Sequence, residues 1–322
     1  MRQETIPVDL ITGFLGAGKT TFLLRYAGYL MDCGLMPGVL VYDHGSVNVD
    51  MPLMQSLRER GCGIEMLSGA CDADCHRRRF RTKLIAMGMS GYDRVIIEPS
   101  GVFDMDEFFD TLADAPLDRW YRPGSVVAVV DALLEENASP EEDFFLASQA
   151  AGAGCVVLSR TQLAGPGQIE KTVAHLRRAQ RAIRADETPD AQILTAPWDA
   201  WTGEDFAHIM DCGSHPADYV KTIAGGVSGF QSLPFLDLRL DRAALEEKTQ
   251  RLFADPAYGR ILRVKGFFEQ AGGWYQFNAT ARDRLVEPVP PTRAALTVIG
   301  CDLDESAISL LLTGRVPEHH LL

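Results

Sequence analysis

At 322 residues the chain is long enough for about two ordinary domains, and 46% hydrophobic with 23% charged residues is the composition of a chain that buries a core. Its 31 basic against 44 acidic residues leave a formal net charge of −13, which excludes a surface built to coat nucleic acid or anionic membrane while leaving room for a local nucleotide pocket. The longest uncharged stretch, Phe144 to Ser159, has 16 residues where a spanning helix needs about 18, no apolar signal segment follows Met1, and seven scattered cysteines suit a reducing compartment, so a cytoplasmic chain with no nucleic-acid and no membrane partner is expected.

In chain order, strand-like runs are predicted at Pro7–Thr12, Gly38–Asp43, Asp93–Glu98, Ser125–Asp131, Gly154–Ser159 and Ala191–Thr195. Most are continuous apolar runs, such as Val126-Val127-Ala128-Val129-Val130, the signature of strands buried on both faces. Helices are predicted between them at Lys19–Met31, Cys75–Met87, Phe144–Ala151 and Gln168–Arg184. The alternation implies an α/β domain over residues 1–212, with a mainly parallel sheet and helices on both faces. Residues 213–229 are rich in Gly and Ser and read as a linker. Residues 230–322 then read as a small C-terminal α+β domain. Its predicted strands are Pro234–Leu240, Arg263–Gln270, Gly273–Ala279 and Ala294–Gly300, and its helices Ala243–Phe253 and Glu305–Leu312.

The decisive motif is Gly13-Phe14-Leu15-Gly16-Ala17-Gly18-Lys19-Thr20, a full G-x4-G-K-[ST] match between a predicted strand and a predicted helix. Gly13, Gly16, Ala17 and Gly18 let backbone N–H groups curl around phosphate oxygens, and the helix N-terminus adds the positive end of its dipole. Lys19 would reach the β- and γ-phosphates of a nucleoside triphosphate, the Thr20 hydroxyl would hold Mg²⁺, and Thr21 follows in the first turn. An acidic partner for Mg²⁺ or the attacking water belongs at a neighbouring strand end, where Asp43 and Glu98 stand; Gly101, just past Glu98, could sense the γ-phosphate. Trp198 and Trp201 follow a strand and read as packing residues that could edge a base pocket. Arg77-Arg78-Arg79 read as a solvated helix face, and His319 and His320 as a frayed terminus.

These residues resemble the CobW family of P-loop GTPases. Ile11 to Thr21 is similar to the family's ITGFLGAGKTT, Tyr42 to Asp50 resembles its NEFGEVGID, and Ile97-Glu98-Pro99-Ser100-Gly101 resembles its IETSG. Val129 to Ala132 and Gln149 to Ala151 fall in register, and Lys265-Gly266-Phe267 with Trp274 is similar to the family's C-terminal domain. The resemblance implies a Mg²⁺-dependent, slow GTPase-like nucleoside triphosphatase that delivers a metal, often Zn²⁺ or Co²⁺. It also implies a metalloprotein or corrinoid-related client, with a homo-oligomer left open.

Three departures stand out. The guanine-reading NKxD falls at Ser159-Arg160-Thr161-Gln162, which places Arg160 and Gln162 at the base; Gln162 lacks the carboxylate that accepts two hydrogen bonds from guanine, so GTP and ATP both stay open. The CxCC metal motif is replaced by Cys71-Asp72-Ala73-Asp74-Cys75-His76, and Ser46 stands where the family has a second glutamate. Zinc or cobalt takes three or four soft or borderline ligands. At this place in the motif Cys71 and Cys75 are the leading ligands, with His76, Cys62 and an approach by His44 next. Cys33, Cys155, Cys212 and Cys301 read as core or loop residues. The alternative to metal delivery is a nucleotide-switched accessory protein that docks on a corrinoid or metalloenzyme partner, and a small-molecule kinase comes third.

Overall fold

In the computed structural model, residues 5–43, 54–68, 73–101, 105–134, 138–215, 217–220, 230–281 and 283–316 are described. The chain divides into two compact units. The strands of the first are β1 (Ile6–Thr12), β2 (Pro37–Asp43), β3 (Gly63–Ser68), β4 (Arg94–Glu98), β5 (Tyr121–Asp131), β6 (Cys155–Ser159) and β7 (Ile193–Leu194). They form one sheet in the order β3-β2-β4-β1-β5-β6-β7. The pairings of β1 with β4 and β5, β2 with β4, β5 with β6 and β6 with β7 are all parallel. Around the sheet lie α1 (Lys19–Asp32), α2 (Gln55–Glu59), α3 (Ala73–Gly88), α4 (Met105–Ala113), α5 (Pro140–Ala151), α6 (Gln168–Ala182) and α7 (Gly203–Met210).

The continuous apolar strands serve both faces. Val8 and Leu10 of β1 join one core with Phe80 of α3, Phe108 of α4, Leu146 of α5 and Leu176 of α6. Asp9, between them on β1, faces the other side and is fully buried. It accepts hydrogen bonds from Arg94 Nη1 (2.8 and 2.9 Å), Tyr26 Oη (2.8 Å) and the Ser125 backbone N–H (2.8 Å). Arg94 Nη1 and Ser125 Oγ also donate to the Met210 carbonyl, at 3.1 and 2.7 Å, which fastens the end of α7 to the sheet. Burial pulls the Arg94 pKa down, but the Asp9 carboxylate and Tyr26 hydroxyl more than offset this and hold it above the usual value. The same crowding explains Gly124, where a Cβ would stand 2.2 Å from Asp9 Oδ1.

The second unit is an antiparallel sheet, β8 (Phe230–Leu236), β9 (Arg260–Gln270), β10 (Gly273–Ala279), β11 (Arg284–Val289) and β12 (Ala295–Cys301), in the order β11-β10-β9-β12-β8. Helices α8 (Arg242–Ala254) and α9 (Glu305–Thr313) complete it. Leu245 and Leu252 of α8, Phe268, Phe277, Val298, and Ile308 and Leu312 of α9 share its core. The expected α/β and α+β classes are both observed.

Several elements differ from expectation. Strand β3 sits at a sheet edge and is only half-buried along most of its length, so it lacks the continuous apolar run of its neighbours. Strand β8 ends at Leu236 because Asp237 takes a left-handed conformation (φ 55) and turns the chain; its Pro234 is tolerated because β8 is an edge strand. Residues 213–215 of the expected linker are bonded to the first unit: the Gly213 carbonyl accepts from Val126 N–H (2.8 Å), and His215 N–H donates to the Gly152 carbonyl (3.1 Å). Residues 221–229 lie outside the described residues. Among the described residues no helix is long and apolar enough to cross a membrane.

Candidate functional site

Between β1 and α1 the chain makes a tight loop in which Gly13, Gly16 and Gly18 have φ of 142, 78 and 99. Side-chain-bearing residues rarely adopt this region, and a Cβ at Gly13 would stand 2.3 Å from the Val129 carbonyl oxygen of β5. Gly18 caps α1 without a side-chain hydrogen bond. The first-turn N–H groups of a helix have no intrahelical acceptor and a glycine cap supplies no side-chain one, the arrangement that suits phosphate. Lys19 is almost buried, and its ammonium donates to the carbonyls of Gly13 (2.8 Å) and Phe14 (3.3 Å), spanning the loop. Ala17 is buried within the loop.

Strand β4 lies beside β1 and ends at Glu98, a buried carboxylate. Thr20 Oγ1 donates to Glu98 Oε1 at 2.8 Å, joining the start of α1 to the end of β4. A hydroxyl and a carboxylate next to a phosphate-binding loop are hard oxygen donors, the set that Mg²⁺ takes together with phosphate oxygens and water. The residues present therefore fit the ion. Gly101 lies so close to the loop that a Cβ there would stand 2.6 Å from the Leu15 backbone nitrogen. Its carbonyl accepts from Gln149 Nε2 at 3.0 Å, which ties the segment after β4 to α5. Gln149 was in register with the resemblance but was not singled out as a site residue.

The other side of the loop is built from the ends of β5, β6 and β7. Arg160 follows β6 in a left-handed conformation (φ 57). Its Nη1 donates to Asp131 Oδ2 at the end of β5 (2.8 Å) and its Nη2 to the Gly16 carbonyl (3.5 Å). Asp131 is a second residue that the sequence reading passed over. Gln162 sits in a single 3-10 turn, Thr161–Leu163, and is exposed. Ser159 Cβ and Trp198 Cη2 both lie 3.4 Å from where a Gly18 Cβ would be. Trp198 packs edge-on to Phe22 of α1, with ring centroids 5.7 Å apart, and its buried Nε1 has no hydrogen-bond partner among the described residues.

The transition-metal candidates fare differently. Cys71 and His44 lie outside the described residues, as do the side chains of Asp43, Cys75 and His76; Asp43 ends β2, and Cys75 and His76 belong to the first turn of α3. Cys62 lies within the described residues. It is buried, its thiol hydrogen-bonds the Pro37 carbonyl (Sγ to O 3.4 Å), and burial pushes its pKa up to about 11, which opposes the thiolate a metal needs. Among the described residues no group of three or more His, Cys, Asp or Glu is placed to hold a metal. Arg77, Arg78 and Arg79 are exposed, as a solvated face requires.

Residues 7–187 match the family model for the CobW/HypB/UreG nucleotide-binding domain, and residues 236–314 match the cobalamin synthesis protein cobW C-terminal domain. The chain belongs to the CobW/HypB/UreG family. Among its relatives, zinc chaperone YeiR of Escherichia coli is 29% identical over 161 residues, which cover 49% of this chain and 47% of that protein. Zinc chaperone YjiA of the same organism is 29% identical over 191 residues, 57% of each chain. Zinc-regulated GTPase metalloprotein activator 1 of Dictyostelium discoideum is 24% identical over 322 residues, covering 82% of this chain and 63% of that protein. The chain thus spans about half the length of the two bacterial relatives. A likeness to the solved Zn(II)-bound YjiA GTPase from E. coli covers 98% of this chain and 100% of that one, at 20% identity and a TM-score of 0.42.

Proposed function

We propose that this member of the CobW/HypB/UreG family binds a nucleoside triphosphate with Mg²⁺ in the loop before α1, hydrolyses it slowly, and uses the nucleotide state to govern its hold on a metal destined for a metalloprotein client. The observation that carries the reading is the joint placement of Lys19 over the loop carbonyls and Thr20 against Glu98. In this reading the loop N–H groups hold the β- and γ-phosphates, and the Lys19 ammonium moves from the Gly13 carbonyl to the phosphate oxygens. Thr20 and Glu98 would hold Mg²⁺, which when bound would supply charge neutralisation at the phosphates. Asp43 and Glu98, at neighbouring strand ends, orient the attacking water. Water adds to the γ-phosphorus, the bond to the β–γ bridging oxygen breaks, and the nucleoside diphosphate and inorganic phosphate leave, with the water's proton released to solvent. Gly101 N–H reports the γ-phosphate to α5 through Gln149.

Arg160 clamps the loop through Gly16 and Asp131, and Gln162 faces the base with a neutral amide, which offers one acceptor and one donor group. Guanine and adenine are then both accepted, with GTP supported by the zinc-regulated GTPase among the relatives. Zinc is the first candidate for the metal on the same support, with cobalt the useful probe, and Cys71, Cys75 and His76 the ligands; the cytoplasm is the expected compartment. The test is a Co²⁺ titration of the reduced protein with Mg²⁺ and a non-hydrolysable triphosphate. A stoichiometric thiolate-to-cobalt charge-transfer band is expected, lost in a Cys71→Ser/Cys75→Ser variant. Absence of the band removes metal delivery and leaves the accessory role, a nucleotide-switched contact with a corrinoid or metalloenzyme partner.

A further inference from the structure

After α7 the chain does not leave the first unit at once. It runs as a strap across the entry to β5 and β6. Gly213 N–H donates to Ser125 Oγ (3.3 Å), its carbonyl accepts from Val126 N–H (2.8 Å), and Ser214 makes an antiparallel bridge with Ala153. The approach is so close that a Cβ on Gly154 would stand 2.3 Å from the Gly213 oxygen and 2.4 Å from the Cys212 oxygen. The residue after Gly154 is Cys155, the first of β6 and fully buried. The Cys212 thiol lies 3.9 Å from the Val126 carbonyl oxygen, the same oxygen that accepts from Gly154 N–H (2.9 Å), and it sits near enough to the Cys155 thiol that each affects the ionisation of the other. Both are free thiols, and Cys212 alone of the two is partly exposed.

We propose that Cys155 and Cys212 are a reactive dithiol, which a low-molecular-weight disulfide of the glutathione type converts to an intramolecular disulfide that stitches the strap to β6. Cys212 is the entry point. The interaction with Cys155 lowers its pKa against the opposing effect of burial, while the same interaction, and burial, raise that of Cys155. The Cys212 thiolate attacks one sulfur of the small disulfide, whose other sulfur departs as a thiolate and takes up a proton. Cys155 then loses its proton and attacks the Cys212 sulfur, expelling the second small thiol. Two protein thiols are oxidised and one disulfide is reduced to two thiols, so electrons and protons balance. Of the three remaining described thiols, Cys62 donates to a backbone carbonyl, Cys33 is exposed on the surface and Cys301 ends β12 in the second unit.

The test uses the full-length reduced protein in glutathione buffers of graded ratio, quenched with N-ethylmaleimide and read by peptide mass. The expected result is a Cys155–Cys212 link that forms at least about tenfold faster in the folded protein than in urea, because the fold holds the two sulfurs together. In Cys155→Ser, Cys212 should keep one glutathione. In Cys212→Ser, the buried Cys155 should stay unmodified. Failure of the link to form in the folded protein under fully oxidised glutathione overturns the proposal. So does linkage at equal rates with and without urea, a readout that needs no variant to fold.

Discussion

Lys19→Ala should lower triphosphate turnover by a factor on the order of 10²–10³, with a parallel loss of affinity for the triphosphate. The ammonium is the strongest positive charge in a nearly buried position beside the loop, poised on the Gly13 and Phe14 carbonyls at 2.8 and 3.3 Å. In the proposed function the ammonium moves from those carbonyls to the phosphate oxygens, and alanine would leave the backbone N–H groups to meet the developing charge alone. Lys19→Arg should not rescue, because a planar guanidinium does not reproduce the compact ammonium point charge with its three rotatable donors. The check is release of inorganic phosphate under saturating Mg²⁺, with unfolding midpoints compared. Turnover within a few-fold of the unaltered protein would remove Lys19 from the mechanism.

The second large effect is on stability. Asp9→Ala should cost about 3–5 kcal/mol, because it strands the Arg94 guanidinium in the core and leaves Tyr26 Oη and Ser125 N–H without their acceptor. The carboxylate is fully buried and the arginine side chain is 10% exposed, so solvent cannot substitute for the lost partner. Because the same cluster fastens Met210, the α7–strap region should loosen first. Asp9→Leu combined with Arg94→Met should lose less than Asp9→Ala alone, since an apolar pair strands no charge. Urea unfolding curves of the three variants decide this. A midpoint for Asp9→Ala equal to that of the unaltered protein would contradict the ion pair's role.

The parts of the fold visible in the sequence were those with strong local signals. Strands β1, β4, β5 and β6 are continuous apolar runs, and the Gly-rich loop needs positive φ at fixed positions. Strand β11 was missed because it is an exposed edge carrying Pro288, and α7 because it is short; its Thr202–Asp205 capping box was a readable start signal. Within the candidate site, Thr20 and Glu98 could be paired in advance because a phosphate loop asks for an acidic neighbour at a strand end. Asp9 and Arg94 could not, because nothing local links residues 85 positions apart across a sheet face. Cys62 could be read only as a cysteine near the motif, because its burial and its bond to the Pro37 carbonyl depend on the neighbouring strand. Cys155 and Cys212 each read as ordinary core or loop residues until the strap brought them together.

The central claim is that the loop before α1 holds a nucleoside triphosphate together with Mg²⁺ on Thr20 and Glu98. Calorimetric titration of the full-length protein with non-hydrolysable GTP and ATP analogues, each with and without Mg²⁺, tests it most directly. One site per chain is expected, with affinity at least about tenfold higher when Mg²⁺ is present, and with GTP and ATP analogues within about a hundredfold of each other because Gln162 offers no carboxylate to guanine. No heat with either analogue, or binding indifferent to Mg²⁺, would contradict the account.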